Sequence, residues 1–427
     1  MLHDQCCIYN VPNHLLKLNE DAYTPKFISI GPFHSHNSEL NQEKQKQRYF
    51  HAFWKRLSNK QASALVQFKA FLEDNRENIG NFYCKQDVCQ NDKFVEMILL
   101  DSVFVMELFL RKANESEQKN DYMFTTSWIY KITQRDLLLL ENQIPMFVLE
   151  ELHKRVFLLS DNNGCNKENC VSFIELAFNY FEDYYPQKLS SKDEMIRNCK
   201  SCKHFTDLIR YSYLPREIQV KGVNPSENFT PFRSEYVLRT ATKLNEAGCV
   251  PCLKVVESKL QIPHLNVDQG TECVLRNLIA FEQCHYSDQP FICNYVSLID
   301  SLIHTHEDVE LLVDTEIINH ELGSHAELAT LVNCLCKCVV VTSNCYGEVV
   351  KELNEHYNNR WKHYMGMLRS VYFRDPWRLS STVVGVAIFL FAIVNFLRVI
   401  EKVGKGRPGS GASEAGGARI HSSCSNK

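Results

Sequence analysis

The sequence lacks the marks of several large functional classes. Its formal charge is -4, with 47 Lys and Arg against 51 Asp and Glu, and no stretch concentrates cations as phosphate neutralisation requires. Nucleic acid is therefore not expected as a partner. Lys44, Lys46 and Arg48 alternate with polar residues and read as a solvated helix face. The opening residues, Met1 to Cys7, carry neither a basic stretch nor an apolar run, so no cleavable signal peptide is readable. There is no Gly-x-Ser-x-Gly elbow, no phosphate-binding Gly-rich Lys loop and no dinucleotide fingerprint. No internal repeat of solenoid period is present either.

What the chain does have is 18 cysteines in 427 residues, far below the density of a small disulfide scaffold. A reduced, cytosolic body is expected, with most thiols acting as small buried hydrophobes. Cys199 and Cys202, with Cys249 and Cys252, could give four thiolates to one zinc, but their separation is long and neither pair has a glycine-supported turn. His320-Glu321-Leu322-Gly323-Ser324-His325 approaches a zinc-protease motif. Such a site needs histidines four apart; these are five apart and Gly323 interrupts, so a helix end with surface histidines is the expectation. His304 and His306 would need a third ligand, and Cys334, Cys336 and Cys338 read as core filling. No catalytic, cofactor or metal residue is assigned, and no cofactor is expected.

Apolar periodicity predicts a mainly α fold, a large irregular helical body with minor short β elements. Helices are expected near Leu40–Ser58, through Leu65, Phe68 and Leu72, and over Phe94–Leu110. The stretch Asp136–Leu159 should be two helices separated at Pro145. A helix follows over Ser172–Tyr185, then strand-like material over Gly248–Val267, where Pro251 and Pro263 oppose a long helix. Helical signal returns over Thr271–Glu282, Tyr295–Ile303, Val309–His320, Ala326–Val341 and Gly347–Tyr372. Glu96 and Asp101 could form an acid pair in a cleft, but five residues of helix set them about 140° apart, so both read as structural.

Residues 379–397 contain no charged side chain. As a helix this run would rise about 28 Å, close to the roughly 30 Å of a bilayer's hydrocarbon, with Arg374, Arg378, Arg398 and Lys402 as interfacial anchors. The expected organisation is a body over 1–372 with room for two lobes, an interfacial linker over 373–378, a C-terminal transmembrane helix over 379–397 and a disordered tail over 398–427. The lipid bilayer is then a partner through 379–397, and the chain a single-pass membrane protein, with the plasma membrane one candidate. Charge bias around the run favours a cytosolic tail, whereas a body without a signal peptide favours a cytosolic body; the body is placed in the cytosol.

Cys7-Ile8-Tyr9-Asn10-Val11-Pro12, Tyr23-Thr24-Pro25-Lys26-Phe27-Ile28-Ser29-Ile30-Gly31-Pro32-Phe33-His34, Leu99 to Phe104 and Leu140-Glu141-Asn142-Gln143-Ile144-Pro145 form an ordered set of motifs. With Thr271 to Glu282, Tyr357 to Trp361 and Tyr372 to Trp377, the chain resembles the plant domain-of-unknown-function family 247 over roughly residues 6 to 397. The resemblance implies a plant membrane protein with a mostly helical body and a C-terminal anchor. It supplies no catalytic residue, and only some grass relatives, linked to self-incompatibility, suggest recognition. The segment from Ala247 to Ile262 looks shorter than is usual in the family. The expected function is a membrane-tethered interaction, recognition or signalling protein with an unknown protein partner. A membrane-bound hydrolase whose site assembles only in the fold, and a structural scaffold, are the alternatives.

Overall fold

The computed structural model describes residues 5–37, 40, 43–57, 61–160, 171–185, 199–214, 242–243, 254–256, 259–340, 345–347, 349, 351 and 376–405. Contacts divide the chain into two units, Met1–Arg360 and Trp361–Lys427. The fold is mainly helical with minor strands. Among the described helices of eight residues or more, α1 is Glu43–Arg56, α2 Gln61–Asp74, α3 Phe94–Lys112, α4 Ser127–Leu137, α5 Met146–Ser160, α6 Phe173–Tyr180 and α7 Phe205–Tyr213. Then come α8 Thr271–His285, α9 Phe291–Leu302, α10 His306–Asp314, α11 His325–Cys336 and α12 Pro376–Lys405.

α3 is the hub of the first unit, because its apolar residues cover nearly every face of the helix. It packs against α1, α2, α5 and α6. Phe109 stacks on Tyr180 at 4.5 Å and on Phe173 at 5.7 Å, with Phe205 at 5.5 Å. A second group joins α8 to α9, and α11 to both α9 and α10, while α7 lies on α8. One hydrophobic core runs through both groups. Pro145 precedes α5 directly, and an irregular turn over 138–145 links it to α4, because proline cannot continue the helical hydrogen bonds.

The strands are short. β1 (Thr242–Lys243) runs parallel to β3 (Lys259–Ile262), which pairs antiparallel with β2 (Lys254–Val256). β4 (Leu265–Val267) pairs in parallel with β5 (Ile318–His320), Leu265 opposite Ile318. β5 corrects the expected helix over Val309–His320. α10 starts at a capping box between Thr305 and Asp308, ends at Asp314, and is followed by Glu316 in the left-handed region at φ 55, which turns the chain back to pair with β4. Cys249, Cys252 and most of the helix expected over Gly347–Tyr372 lie outside the described residues.

The membrane helix expected over 379–397 is not borne out. That run lies within α12, which begins at Pro376 and continues to Lys405. Among the described residues, no helix is long and apolar enough to cross a membrane. α12 runs on past the uncharged stretch through Arg398, Glu401, Lys402 and Lys405. Within the helix Asn395 adds polarity, while Ile388, Phe389, Phe391 and Phe396 are exposed. The transmembrane helix, single-pass membrane localisation, bilayer partner and membrane-tethered function are corrected on this ground.

Candidate functional site

The motif-bearing segment 23–34 has few backbone partners of its own, and side chains from the turn between α4 and α5 supply them. Asp136, fully buried, accepts the N–H groups of Lys26 (3.0 Å), Phe27 (2.6 Å) and Ile28 (3.0 Å) on one oxygen. Asn142 accepts from Ile30 N–H at 2.7 Å and donates to Ile28 O at 3.0 Å and Asp136 O at 2.8 Å. Gln143 donates to Leu137 O and Leu139 O, both at 2.7 Å, and accepts from Phe205 N–H at 2.9 Å. Glu141 accepts from Val11 N–H at 2.7 Å and pairs with His34 at 3.0 Å. Buried polar groups need such partners, so the Leu140-to-Pro145 motif is a seam that ties distant extended chain to the helices. Burial raises the Glu141 carboxyl, but His34 and the Val11 N–H outweigh it and leave the group lowered.

Gly31 closes the seam and opens a cavity. Its φ is +70°, and a Cβ there would lie 2.5 Å from Gln143 O, so only glycine fits. Its N–H donates to Asp101 at 3.0 Å. The other Asp101 oxygen accepts from the Lys46 ammonium in a buried ion pair. Burial pushes the Asp101 carboxyl up, against the pull of Lys46 and Gly31.

Lys46 and Asp101 form part of the wall of a cavity of about 800 Å³ between residues 29–40, α1 and the start of α3. His34, His36, His51, Glu43, Lys93 and Glu96 also line it, with Phe50, Leu40 and Met97 as apolar wall. Both signs of charge and three imidazoles thus face one space, beside apolar surface. Ligand cavities commonly fall within about 300–1,000 Å³ and combine these features. Ser35 donates its hydroxyl to Pro32 O at 2.9 Å rather than to a histidine. The arrangement can hold a polar molecule.

Two readings of single residues change here. Lys46 is not on a solvated face: it is buried. The signal was in the spacing, since Lys46 precedes Tyr49 by three and Phe53 by seven and so shares their stripe on α1. Glu96 and Asp101 do reach one cavity despite their angular separation, because the cavity wraps around the start of α3.

Of the metal candidates, Cys249 and Cys252 lie outside the described residues. Cys199 and Cys202 are buried at a tight turn, where Cys202 N–H donates to Cys199 O at 3.0 Å, and burial holds the Cys202 thiol well above its ordinary range. His320 ends β5, and Ser324 caps α11 by accepting Glu327 N–H at 3.2 Å. The two imidazoles of His320 and His325 lie 5.1 Å apart, centroid to centroid. Among the described residues no group of three His, Cys, Asp or Glu could hold a metal ion.

A second polar cluster braces α7, α8 and α9. Arg210 donates to Glu282 at 2.8 Å and to Gln289 O at 2.8 Å, and its guanidinium lies 3.8 Å from the Tyr286 ring centroid. The second Glu282 oxygen accepts from Ile292 and Cys293 N–H at 2.8 and 3.0 Å. These contacts join neighbouring helices to one another, which marks a brace rather than a site.

These features define a helical protein whose N-terminal segment is locked down by buried side-chain carboxylates and amides. The chain belongs to the plant family DUF247, described as plant protein of unknown function, over residues 8–391. It is 29% identical to UPF0481 protein At3g47200 of Arabidopsis thaliana, over 92% of this chain and 85% of that one. It is 22% identical to Putative UPF0481 protein At3g02645 of the same plant, over 92% of this chain and 90% of the other. No solved structure matches.

Proposed function

We propose that this protein binds a polar small molecule in the cavity between residues 29–40, α1 and α3. The observation that carries the reading is the buried Lys46 ammonium in the wall of a space of about 800 Å³. A charge is costly to bury and is retained only where it is paired. Here Asp101 pairs it and Gly31 fixes Asp101, so a cationic donor is held ready at a fixed place. Around it, His51, Lys93, Glu43 and Glu96 offer donors and acceptors of both signs, and Phe50 and Met97 offer apolar contact. Such a wall suits a ligand that carries both charged and apolar parts. No chemical step is assigned to it, and no part in pollen recognition is carried over, because the resemblance brought no residue role with it.

The test is a thermal-shift screen of the full chain against amino acids, organic acids, phosphorylated metabolites and amines. A ligand at 100 times its Kd should stabilise the fold by about 2.7 kcal/mol, a readable rise in Tm. That rise should shrink in His51→Ala and Glu96→Gln, neither of which holds the seam. A flat Tm across the panel, or shifts that persist in both variants, would overturn the assignment.

A further inference from the structure

The turn before α7 holds two thiols that neither the seam nor the cavity uses. Cys199–Ser201 is one turn of 3-10 helix, closed by Cys202 N–H donating to Cys199 O at 3.0 Å. In such a turn residues three apart are eclipsed, with Cα atoms about 6 Å apart and side chains on one face. Disulfides span roughly 4.4–6.8 Å between Cα atoms, so this pair can be bridged where it stands. We propose that Cys199 and Cys202 are a dithiol–disulfide couple, oxidised by a small-molecule disulfide such as glutathione disulfide, whose state sets how firmly the start of α7 is tied to the seam.

Three observations support the couple. The sulfurs meet, since the Cys202 thiol is hydrogen-bonded to the Cys199 side chain. Both residues are buried, Cys199 fully and Cys202 with 6% of its surface exposed. Burial raises the Cys202 thiol, and Cys199, Asp207 and Glu150 add to it. A thiolate is therefore disfavoured, which hinders alkylation and metal binding. Two neutral thiols and one neutral disulfide, however, both leave the site uncharged, so burial slows the exchange without opposing either end state. Lastly, the three residues that follow carry ties to the seam and to the N-terminal segment. Lys203 O accepts Met146 N–H at 2.7 Å, Phe205 N–H donates to Gln143 at 2.9 Å, and the His204 ring lies 3.1 Å from Cys7 O.

The reaction is a two-electron exchange. The thiolate of Cys202, the more exposed of the two residues, attacks one sulfur of glutathione disulfide, breaking its S–S bond and releasing one glutathione thiolate. Cys199 then attacks the Cys202 sulfur of the mixed disulfide and releases the second glutathione. The two protein protons pass to the two departing thiolates; the protein loses two electrons and glutathione disulfide gains them. A bridge across residues 199 to 202 restrains the turn that presents Lys203 and Phe205, so local opening of their ties becomes rarer.

The experiment equilibrates the full chain in glutathione buffers from fully reduced to fully oxidised, traps free thiols with N-ethylmaleimide and maps the linkages by mass spectrometry. A disulfide between Cys199 and Cys202 is expected, appearing in a single two-electron step as the buffer becomes oxidising. Hydrogen exchange in the same samples should slow by at least about tenfold at Met146 and Phe205, whose N–H groups make the ties. Cys202→Ser should remove that redox-dependent slowing, whatever the other cysteines do. Absence of the linkage in oxidised buffer, a persistent glutathione adduct in its place, unchanged exchange at both amides, or slowing retained in Cys202→Ser would each overturn the proposal. Should the variant fail to fold, the linkage map and the exchange of the wild-type chain decide alone.

Discussion

Asp136 and Asp101 are both buried aspartates with carboxyls pushed up by burial, yet they sit in regions of opposite character. In the seam, Asp136 faces backbone N–H groups of Lys26, Phe27 and Ile28, and its neighbours Asn142 and Gln143 likewise spend themselves on backbone. Beside the cavity, Asp101 faces one backbone N–H and one cationic side chain whose other surface borders open space. A buried carboxylate whose partners are three backbone N–H groups and the adjacent Arg135, itself tied to Thr24 O, holds the fold. One whose partner is a lysine in a cavity wall also poises a charge. Burial and a shifted pKa alone do not separate the two; the identity of the partners does.

The largest expected effect tests the seam. Asp136→Ala strips the acceptor from three backbone N–H groups and should destabilise the protein by about 3–5 kcal/mol, as breaking buried charged networks does; denaturant unfolding measures it. A loss under about 1 kcal/mol would show that the segment 23–34 is held by packing instead.

Lys46→Met should cost somewhat less and should also abolish ligand-induced stabilisation, since it leaves Asp101 buried and unpaired. Adding Asp101→Leu should restore much of the stability but none of the binding, because apolar replacement of both partners is often neutral. Recovery of binding in the double variant would end the distinction between the two aspartates. Asn142→Ala comes next, at about 1–3 kcal/mol for the Ile28 and Ile30 groups left unpaired, with no effect on affinity once the ligand is known.

The smallest effect is on pH dependence at the edge of the seam, where Gln143 meets Phe205. His204 accepts Asp207 N–H at 3.3 Å and lies 3.1 Å from Cys7 O. Burial lowers its pKa to about 3, so it folds neutral. Its contribution is complete above the unfolded value of about 6.5 and is lost as pH falls towards 3. Burial raises Asp207 to about 6, which works the other way: that contribution is complete below about 3.9 and is lost as pH rises through 6. The two oppose between pH 4 and 6. Asp207→Asn should therefore steepen the fall of Tm on acidification from pH 6.5 to 4, and a slope unchanged from wild type would sink this account.

Much of the helical body was legible. The apolar stripes of α1 and α2, the breaker-free run of α3 and the interruption at Pro145 each declared themselves through periodicity. Short β elements were expected over Gly248–Val267, and β2, β3 and β4 lie there. β5 was missed because three residues carry no period, and their strand character comes only from pairing with Leu265 to Val267. The run 379–397 misled for a different reason. Composition without charge fits a bilayer helix, but among the described residues no helix is long and apolar enough to cross a membrane.

The sequence by itself determined that the chain would be helical, because side-chain periodicity is a local property, and its ordered motifs carried the family. The tertiary structure alone decided that Asp136 serves residues 26 to 28, that Lys46 meets Asp101, and that Arg210 meets Glu282. Those partners stand tens to more than a hundred residues apart, and only chain closure brings their charges within hydrogen-bonding or Coulombic reach.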